Sequence, residues 1–278
     1  DGQHGAGGRL GYRLPGQILR PLERVWYEHI STLDRDANMI FMNYGWADPN
    51  VDAASLPLQP EDEANRYCIQ LYHRVASAID LDGLDVLEVG SGRGGGASYV
   101  KRYLAPKTLT GVDLTANAIA FCREHYAVPG LTFVRGDAQA LEFEDGSFDA
   151  VINVESSHCY ASMDRFLAEV VRVLRPGGHL LYADHRSSAD VATLRQQFHD
   201  AVLLVVAEER LNAGILRALE LDNPRKQALI RTHVPWVLRP IFFQFAAMEG
   251  TRSIYATLLS GERTYLRFVL RKECVSLT

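Results

Sequence analysis

The sequence has little of what commits a chain to a membrane, a disulfide framework or a nucleic acid. It has no run of 18 uncharged apolar residues, and the longest candidates, 201–207 and 240–248, are too short to span a bilayer. Its four cysteines lie far apart without a C-x-x-C pair, which favours reduced thiols over disulfides or a zinc site. The net charge is −5, and Lys and Arg never form a cluster of five. We therefore expect a cytoplasmic protein with no nucleic-acid partner and no stable membrane insertion.

The start of the chain also lacks the pattern of a secretory signal. Residues 1–11 are rich in glycine, and no apolar segment follows a basic start. The 278 residues are 47% apolar and 23% charged, which is typical of a globular protein. This length suits one α/β domain with insertions.

Short apolar runs alternate with amphipathic segments in the middle of the chain. The runs at 85–89, 108–113, 131–135, 150–154 and 179–183 are rich in Val, Ile and Leu, and they predict five buried strands. Apolar residues three or four apart predict helices at 97–104, 116–126 and 163–173. This alternation indicates a parallel sheet with helices on both faces.

The flanking segments complete a single-domain interpretation. Helices are predicted at 19–33 and 62–79 around an irregular stretch, 40–60. Residues 187–218 and 224–232 are predicted to form a helical insertion, and a helix at 253–259 is predicted before a last strand at 264–272. The organisation is then an N-terminal arm or helix (1–40), a ligand-binding core (80–186), a helical lid insertion (187–245) and terminal strands (246–278). Whether the flanking parts close over a ligand or only pack stays open.

A glycine-rich loop follows the first predicted strand. From Val86 to Ala97 the sequence reads V-L-E-V-G-S-G-R-G-G-G-A. Glycine lets the backbone turn sharply and approach a ligand, and the following helix offers free N–H groups to an anion. The spacing fits two motifs. Gly90-x-Gly92-x-x-Gly95 matches a dinucleotide fingerprint, whereas Gly90-x-Gly92-x-Gly94 matches the tighter loop that holds the methionine part of S-adenosylmethionine (SAM).

Three acidic residues favour SAM over a dinucleotide. Asp113 ends the second predicted strand, where a carboxylate suits the ribose hydroxyls of either cofactor. Asp137 follows the third strand, where it can accept a hydrogen bond from the adenine amino group. Glu88 lies inside the first strand, and a buried carboxylate needs a donor such as the amino group of SAM. Each acid alone could cap a helix or pair with an arginine, but three at the ends of consecutive strands indicate one ligand site.

These motifs resemble the class I SAM-dependent methyltransferases. The resemblance rests on V-L-E-V-G-S-G-R-G, G-V-D-L, G-D-A, F-D-A-V and V-L-R-P-G-G, in this order within residues 86–178. The segments F-M-N-Y-G-W, N-R-Y-C-I-Q-L-Y-H-R, G-G-G-A-S-Y and N-V-E-S-S-H-C-Y further resemble the phthiotriolone and phenolphthiotriolone dimycocerosate O-methyltransferases and their small-molecule relatives. The resemblance implies a Rossmann-like α/β sheet with helices on both faces, an N-terminal helical segment and a helical lid before the last strands.

The same resemblance implies SAM as the cofactor and adds candidate residues. In the wider family the segment that matches Asn43, Tyr44 and Gly45 closes over SAM near its methionine end, although aromatic packing is the alternative for this segment. The predicted cofactor-binding residues are Tyr44, Gly45, Glu88, Gly90, Gly92, Gly94, Asp113, Leu114, Asp137, Ala138 and Asn153.

The loop after the fourth predicted strand carries the candidate catalytic residues. His158 has a reference pKa of about 6.5, so it can accept the proton of a hydroxyl at physiological pH. Glu155 is predicted to bind near the cofactor or to orient the loop. His185, beside Asp184 after the fifth strand, is an alternative base. The alternative is that no base is needed, since proximity alone is sufficient for many methyl transfers. No H-x-H or carboxylate spacing predicts a metal.

The predicted activity is O-methylation of a hydrophobic small molecule or secondary metabolite. C-methylation of an isoprenoid, indole or sterol-like carbon stays open, as does a non-catalytic SAM-binding scaffold. An NAD(P)-dependent oxidoreductase is disfavoured by Asp137, by Glu88 and by the lack of a Tyr-x-x-x-Lys pair. Apolar residues at 202–219 and aromatic residues at 236–245 are candidates for an acceptor pocket or for the interface of a homo-oligomer.

Overall fold

A seven-stranded sheet lies at the centre of the molecule. The computed structural model describes residues 39–50, 56–233, 236, 239 and 254–273. The strands run in the order β3-β2-β1-β4-β5-β7-β6. Their bounds are β1 Asp85–Val89, β2 Thr108–Asp113, β3 Leu131–Arg135, β4 Phe148–Val154, β5 Leu174–Ser187, β6 Leu203–Arg210 and β7 Arg263–Lys272. The first five strands are parallel, and β7 is antiparallel to both neighbours.

The five predicted central strands are confirmed. The bounds of β1, β2 and β3 agree with the prediction, because their short apolar runs end at Gly, Pro or Asp. The structure extends β5 well beyond the predicted 179–183, because β7 pairs with it from His179 to Ser187. Val86, Leu87, Val151 and Leu180 have no exposed surface, as expected for a parallel sheet covered on both faces.

Seven helices within the described ranges cover the sheet. They are α1 Arg66–Ala76, α2 Gly95–Tyr103, α3 Ala116–His125, α4 Met163–Val173, α5 Val191–Asp200, α6 Asn212–His233 and α7 Ile254–Leu259. Buried side chains of α1, α2, α3 and α6 belong to one hydrophobic core, and those of α4 and α5 belong to a second. A 3-10 turn, Pro60–Asn65, replaces the first part of the helix predicted at 62–79.

The two ends of helix α4 are determined by local features of its sequence. The Ser162 side chain accepts a hydrogen bond from the backbone N–H of Arg165 and so caps the first turn. Phe166, Val170 and Val173 recur on one face and are fully buried. The predicted range, 163–173, is confirmed.

The helical prediction for 187–218 is wrong between residues 203 and 210. This segment forms β6, which pairs with β7 at the edge of the sheet. A five-residue apolar run does not distinguish a buried helix from a strand by its periodicity, and here the partner strand decides. Val205 and Val206 are exposed on this edge rather than lining a pocket.

The predicted insertion otherwise contributes to the core. Leu211, Ile215 and Leu219 of the α6 region pack in the first hydrophobic core. Of the aromatic residues predicted to form a cluster, Trp236 is 76% exposed, and 241–245 lie outside the described residues. The helix predicted at 19–33 also lies outside them. None of the helices in the described ranges has the length and apolarity needed to cross a bilayer.

Candidate active site

The glycine loop connects β1 to α2 through three residues with positive φ. The φ angles are 81° at Gly90, 52° at Gly92 and 78° at Gly94, a region that side chains with a Cβ rarely adopt. The backbone N–H groups of Gly90 and Ser91 both donate to the Val112 carbonyl, at 2.8 and 3.0 Å. The loop is therefore held against the end of β2.

Asp113 joins the end of β2 to this loop. Its Oδ2 accepts the backbone N–H of Gly92 at 2.9 Å, and its Oδ1 accepts the N–H of Thr115 at 2.8 Å. The carboxylate predicted from sequence to face the ribose is thus fixed beside the glycines. Leu114, the next candidate, is 42% exposed at the same edge.

Asp137 lies on the neighbouring strand end. The N–H of Gly136 donates to the Asp113 carbonyl at 3.0 Å, so the two strand ends are adjacent. Asp137 is exposed, and its Oδ1 accepts the N–H of Gln139 at 2.9 Å. The structure therefore brings Asp137 and Ala138 to the edge that carries Asp113.

Three buried polar atoms beside the loop lack a hydrogen-bond partner among the described residues: Glu88 Oε2, Ser91 Oγ and Asn153 Oδ1. The hydroxyl of Tyr72 donates to Glu88 Oε1 at 2.7 Å, which leaves the second oxygen unsatisfied. Burial, with a contribution from the charge of Asp113, raises the pKa of Glu88 to about 8. The Asn153 amide nitrogen donates to the Val89 carbonyl at 2.9 Å, so Asn153 lies against the loop. Each of these unsatisfied acceptor oxygens is a candidate partner for a donor on a bound ligand, such as the cationic amino group of SAM.

The segment before residue 50 covers the glycine loop. A Cβ on Gly92 would lie 2.7 Å from the terminal methyl of Met42. The Asn43 side chain accepts the N–H of Gly45 at 2.9 Å, and Gly45 has a φ of 81°. Tyr44 and Gly45 therefore lie near the predicted cofactor site. Met42, 41% exposed, was not predicted, because a single methionine carries no sequence signal.

Glu155 connects the 42–45 segment to the sheet by hydrogen bonds. The backbone N–H of Tyr44 donates to both carboxylate oxygens, at 3.0 and 3.2 Å, and the Tyr265 hydroxyl donates to Oε1 at 2.8 Å. The φ of Glu155 is 47°, an uncommon value for a residue with a side chain. Burial raises the pKa of Glu155 to about 7, against the lowering effect of these hydrogen bonds. The sequence does not predict this role of Tyr265, because no motif near residue 265 indicates that it contacts Glu155.

His158 and Asp184 form a hydrogen-bonded pair. Asp184 is fully buried, and its Oδ1 lies 2.8 Å from His158 Nδ1 while its Oδ2 accepts the backbone N–H of His158 at 2.9 Å. Ser157 Oγ donates to Asp184 at 2.6 Å, and an Arg186 nitrogen lies 3.1 Å away. Although burial lowers the pKa of His158, the Asp184 charge outweighs it and holds that pKa well above the ordinary value. Nε2 is then the ring atom left for a substrate proton.

His185 follows Asp184 and stacks on His158. The ring centroids are 4.5 Å apart with an interplanar angle of 29°. A nitrogen of the Arg263 guanidinium donates to His185 Nδ1 at 3.0 Å. Burial, followed by the charge of His158, lowers the pKa of His185 to about 3. His185 is therefore neutral, and its only accepting nitrogen is occupied, which argues against the predicted role of alternative base.

One ring nitrogen of each histidine and an Asp184 oxygen lie within 4.8 Å of one another, a cluster that sequence spacing did not predict. His158 lies in a 3-10 turn, Ser157–Cys159, that follows β4, whereas Asp184 lies in β5, so the pairing of β4 with β5 brings them together. Arg186 contacts Asp184, and Arg263 contacts His185. These two guanidinium groups bring positive charge to the cluster, which disfavours a further cation there.

Comparisons with known proteins agree with this geometry. The family model described as a methyltransferase domain matches residues 87–182, from β1 to β5. The structure of a geranyl diphosphate C-methyltransferase from Streptomyces coelicolor A3(2), solved with S-adenosyl-L-homocysteine, superposes with a TM-score of 0.64 at 16% identity and covers 94% of this chain and 100% of that one. The fold is that of the class I methyltransferases, and the family match supports a SAM-dependent methyltransferase. The cofactor is SAM.

Relatives of higher identity define the family. The phthiotriol/phenolphthiotriol dimycocerosates methyltransferase of Mycobacterium tuberculosis is 41% identical over 90% of this chain and 92% of its own. A fatty-acid O-methyltransferase of Mycolicibacterium smegmatis is 42% identical over 83% of this chain and 84% of its own. The chain therefore belongs to the methyltransferase family that contains these two mycobacterial enzymes. The oxidoreductase alternative is excluded.

Proposed function

We propose that this methyltransferase transfers the methyl group of SAM to an oxygen of a hydrophobic, lipid-like small molecule, with His158 as the general base. The observation that supports this proposal most is the hydrogen bond of 2.8 Å between His158 Nδ1 and the buried Asp184. The names of both relatives, one a dimycocerosates methyltransferase and the other a fatty-acid O-methyltransferase, support a lipid-like acceptor.

The cofactor is proposed to bind along the carboxyl edge of β1, β2 and β3. The glycine loop and Asp113 would hold the ribose and methionine parts, and Asp137 would meet the adenine. Glu88 Oε2 and Asn153 Oδ1, both buried without a partner in the described part of the chain, would receive the amino group. When bound, SAM supplies an electrophilic methyl group on a sulfonium.

Asp184 is proposed to orient the His158 ring and to raise its pKa. It holds the proton of the His158 imidazole on Nδ1, so that Nε2 accepts the proton of an acceptor hydroxyl. Because Asp184 also holds the pKa of His158 well above the ordinary value, the neutral base becomes available as pH rises. The reaction is therefore expected to accelerate toward alkaline pH.

Glu155 is proposed to act by position. It binds the Tyr44 backbone and the Tyr265 hydroxyl, so that the 42–45 segment stays over the glycine loop and excludes water from the site. Both carboxylate oxygens of Glu155 already accept hydrogen bonds from Tyr44 and Tyr265. This supports a positioning role rather than proton transfer.

A His158→Gln variant tests the proposal. We expect turnover to fall about 100-fold or more while the affinity for S-adenosylhomocysteine stays within a few-fold, because general-base catalysis contributes on this scale. His199→Gln, at a histidine whose side chain is 83% exposed, serves as the control. The assay supplies labelled SAM and long-chain alcohols and acids, with the methylated atom identified by mass spectrometry. Near-full turnover by the variant would remove the base role, and methyl incorporation only at carbon would favour the C-methyltransferase alternative.

A further inference from the structure

The ring of His185 is buried between the rings of His158 and Tyr44. The residue is 5% exposed. One face stacks on His158 at 4.5 Å, and the Tyr44 ring lies 5.9 Å away. His185 therefore lies directly beside the proposed base and beside Tyr44.

The contact with Arg263 determines the tautomer of His185. A guanidinium has only donors, so the nitrogen it contacts, Nδ1 at 3.0 Å, must accept. The proton of the neutral ring is then on Nε2. The two elements involved are neighbours in the sheet, since Arg263 starts β7 opposite Ser187 of β5.

The Nε2–H donor of His185 is buried and has no hydrogen-bond partner among the described residues. An unsatisfied buried donor is costly, and in native proteins it commonly marks a place where a ligand completes the bond. An oxygen of the acceptor is a suitable partner at this position.

We propose that His185 determines acceptor specificity by donating from Nε2 to a second oxygen of the methyl acceptor, next to the oxygen that faces His158. This inference rests on the proposed function of the site. The two imidazole rings are stacked with their centroids 4.5 Å apart, so hydrogen bonds from both rings can reach oxygens on adjacent atoms of one acceptor. Preferred acceptors are then 2-hydroxy acids or vicinal diols, ahead of isolated alcohols.

Matched acceptors test this specificity. The ratio of kcat/KM for 1,2-hexadecanediol to that for 1-hexadecanol is expected to be about tenfold or more in the unaltered enzyme, because a lost hydrogen bond to a buried donor has this size. His185→Phe should bring the ratio to near one. His185→Gln, whose amide N–H can replace Nε2–H, should recover part of it. A general loss of folding or cofactor binding affects both acceptors and cancels in the ratio.

Arg263→Leu provides a second, independent readout. Removing the donor to Nδ1 lets the His185 proton move between the two nitrogens, which 15N NMR of the imidazole detects as a change of tautomer, and the ratio should fall. His199→Phe is the surface control for both measurements. A ratio near one in the unaltered enzyme, or a ratio that His185→Phe leaves unchanged, overturns the proposal.

Binding separates this inference from the proposed function. The dissociation constants of the diol and the alcohol are measured with the S-adenosylhomocysteine-loaded enzyme, where no methyl transfer occurs. If neither compound is methylated on oxygen, the proposed function fails, yet a His185-dependent preference for the diol still supports the specificity role. Equal binding of both compounds contradicts it.

Discussion

Glu88 and Glu155 are both buried glutamates, but their partners give them different tasks. Glu88 accepts one hydroxyl and keeps an unsatisfied oxygen beside the glycine loop. Glu155 uses its two oxygens on a backbone N–H and a tyrosine hydroxyl. At the scale of single residues, the oxygen of Glu88 without a partner suits a ligand, whereas Glu155, both of whose oxygens accept hydrogen bonds within the chain, suits a structural contact.

Removing the charge of Asp184 tests the origin of the His158 pKa. In Asp184→Asn the pKa of His158 should fall, because the charge that raises it is gone. The ascending limb of the pH–rate profile should move to lower pH, while the maximal rate drops about 100-fold or more because the imidazole loses its orienting acceptor. The profile is recorded from pH 6 to 10.

Asp200→Asn is the matched control for this change, since Asp200 contacts a histidine at the surface. Its profile should coincide with that of the unaltered enzyme. An Asp184→Asn limb that stays in place would show that His158 does not set the pH dependence.

The Tyr265 hydroxyl is expected to influence cofactor affinity through Glu155. This hydrogen bond lowers the pKa of Glu155, which burial has raised to about 7. Ionised Glu155 holds the Tyr44 backbone, so affinity for S-adenosylhomocysteine should weaken as pH falls through about 7. In Tyr265→Phe the pKa of Glu155 rises, and the weakening should begin at a higher pH.

Calorimetry between pH 6 and 9 measures this effect. Glu88 also titrates in the range, so the difference between variant and unaltered enzyme is the relevant quantity. Tyr255→Phe, which loses a hydroxyl contact to Glu220 at the surface, is the control. Superimposable curves for Tyr265→Phe and the unaltered enzyme would contradict the fastening role of Glu155.

At the scale of secondary-structure elements, the turn between β1 and α2 positions both the glycines and Asp113. Gly92 combines a φ of 52° with a donated N–H to Asp113, so the turn and the acid form one unit. At the same scale, β6 was mistaken for helix because its pairing with β7 lies far along the chain, whereas the bounds of α4 were correct because its cap and apolar face are local.

Gly92→Val is expected to abolish measurable S-adenosylhomocysteine binding. A β-branched side chain is strained at positive φ and would project toward Met42 over the loop. Gly146→Val imposes similar strain at a φ of 63°, but no atom lies within 4 Å of its Cβ position. Both variants should lose about 1–3 kcal/mol of stability, and only Gly92→Val should lose binding in calorimetry. Wild-type affinity in Gly92→Val would place the cofactor elsewhere.

At the scale of the whole molecule, binding of the cofactor should stabilise the folded protein against unfolding. At a concentration 100 times its dissociation constant, S-adenosylhomocysteine adds about 2.7 kcal/mol to the free energy of unfolding. For a chain of this size the melting temperature should rise by about 5–10 °C. Differential scanning fluorimetry measures the shift, with NAD⁺ as the control that should give none. A response to NAD⁺ and not to S-adenosylhomocysteine would overturn the assignment of the cofactor.

The sequence by itself determined the parallel sheet, the glycine loop and the acids at the strand ends. These features are local: strands end where apolar runs stop, and glycine spacing and acid position follow within a few residues. It also predicted His158 after the fourth strand, whereas His185, predicted after the fifth strand, lies within β5 because the pairing with β7 extends that strand.

Only the tertiary structure decided which partners these residues have. Asp184 binds His158, Tyr265 binds Glu155 and Arg263 fixes the His185 tautomer, all across strands that are distant in the chain. The pairing of β5 with β4 and with β7 creates these contacts, because strand register depends on the whole sheet and is not encoded in any short segment.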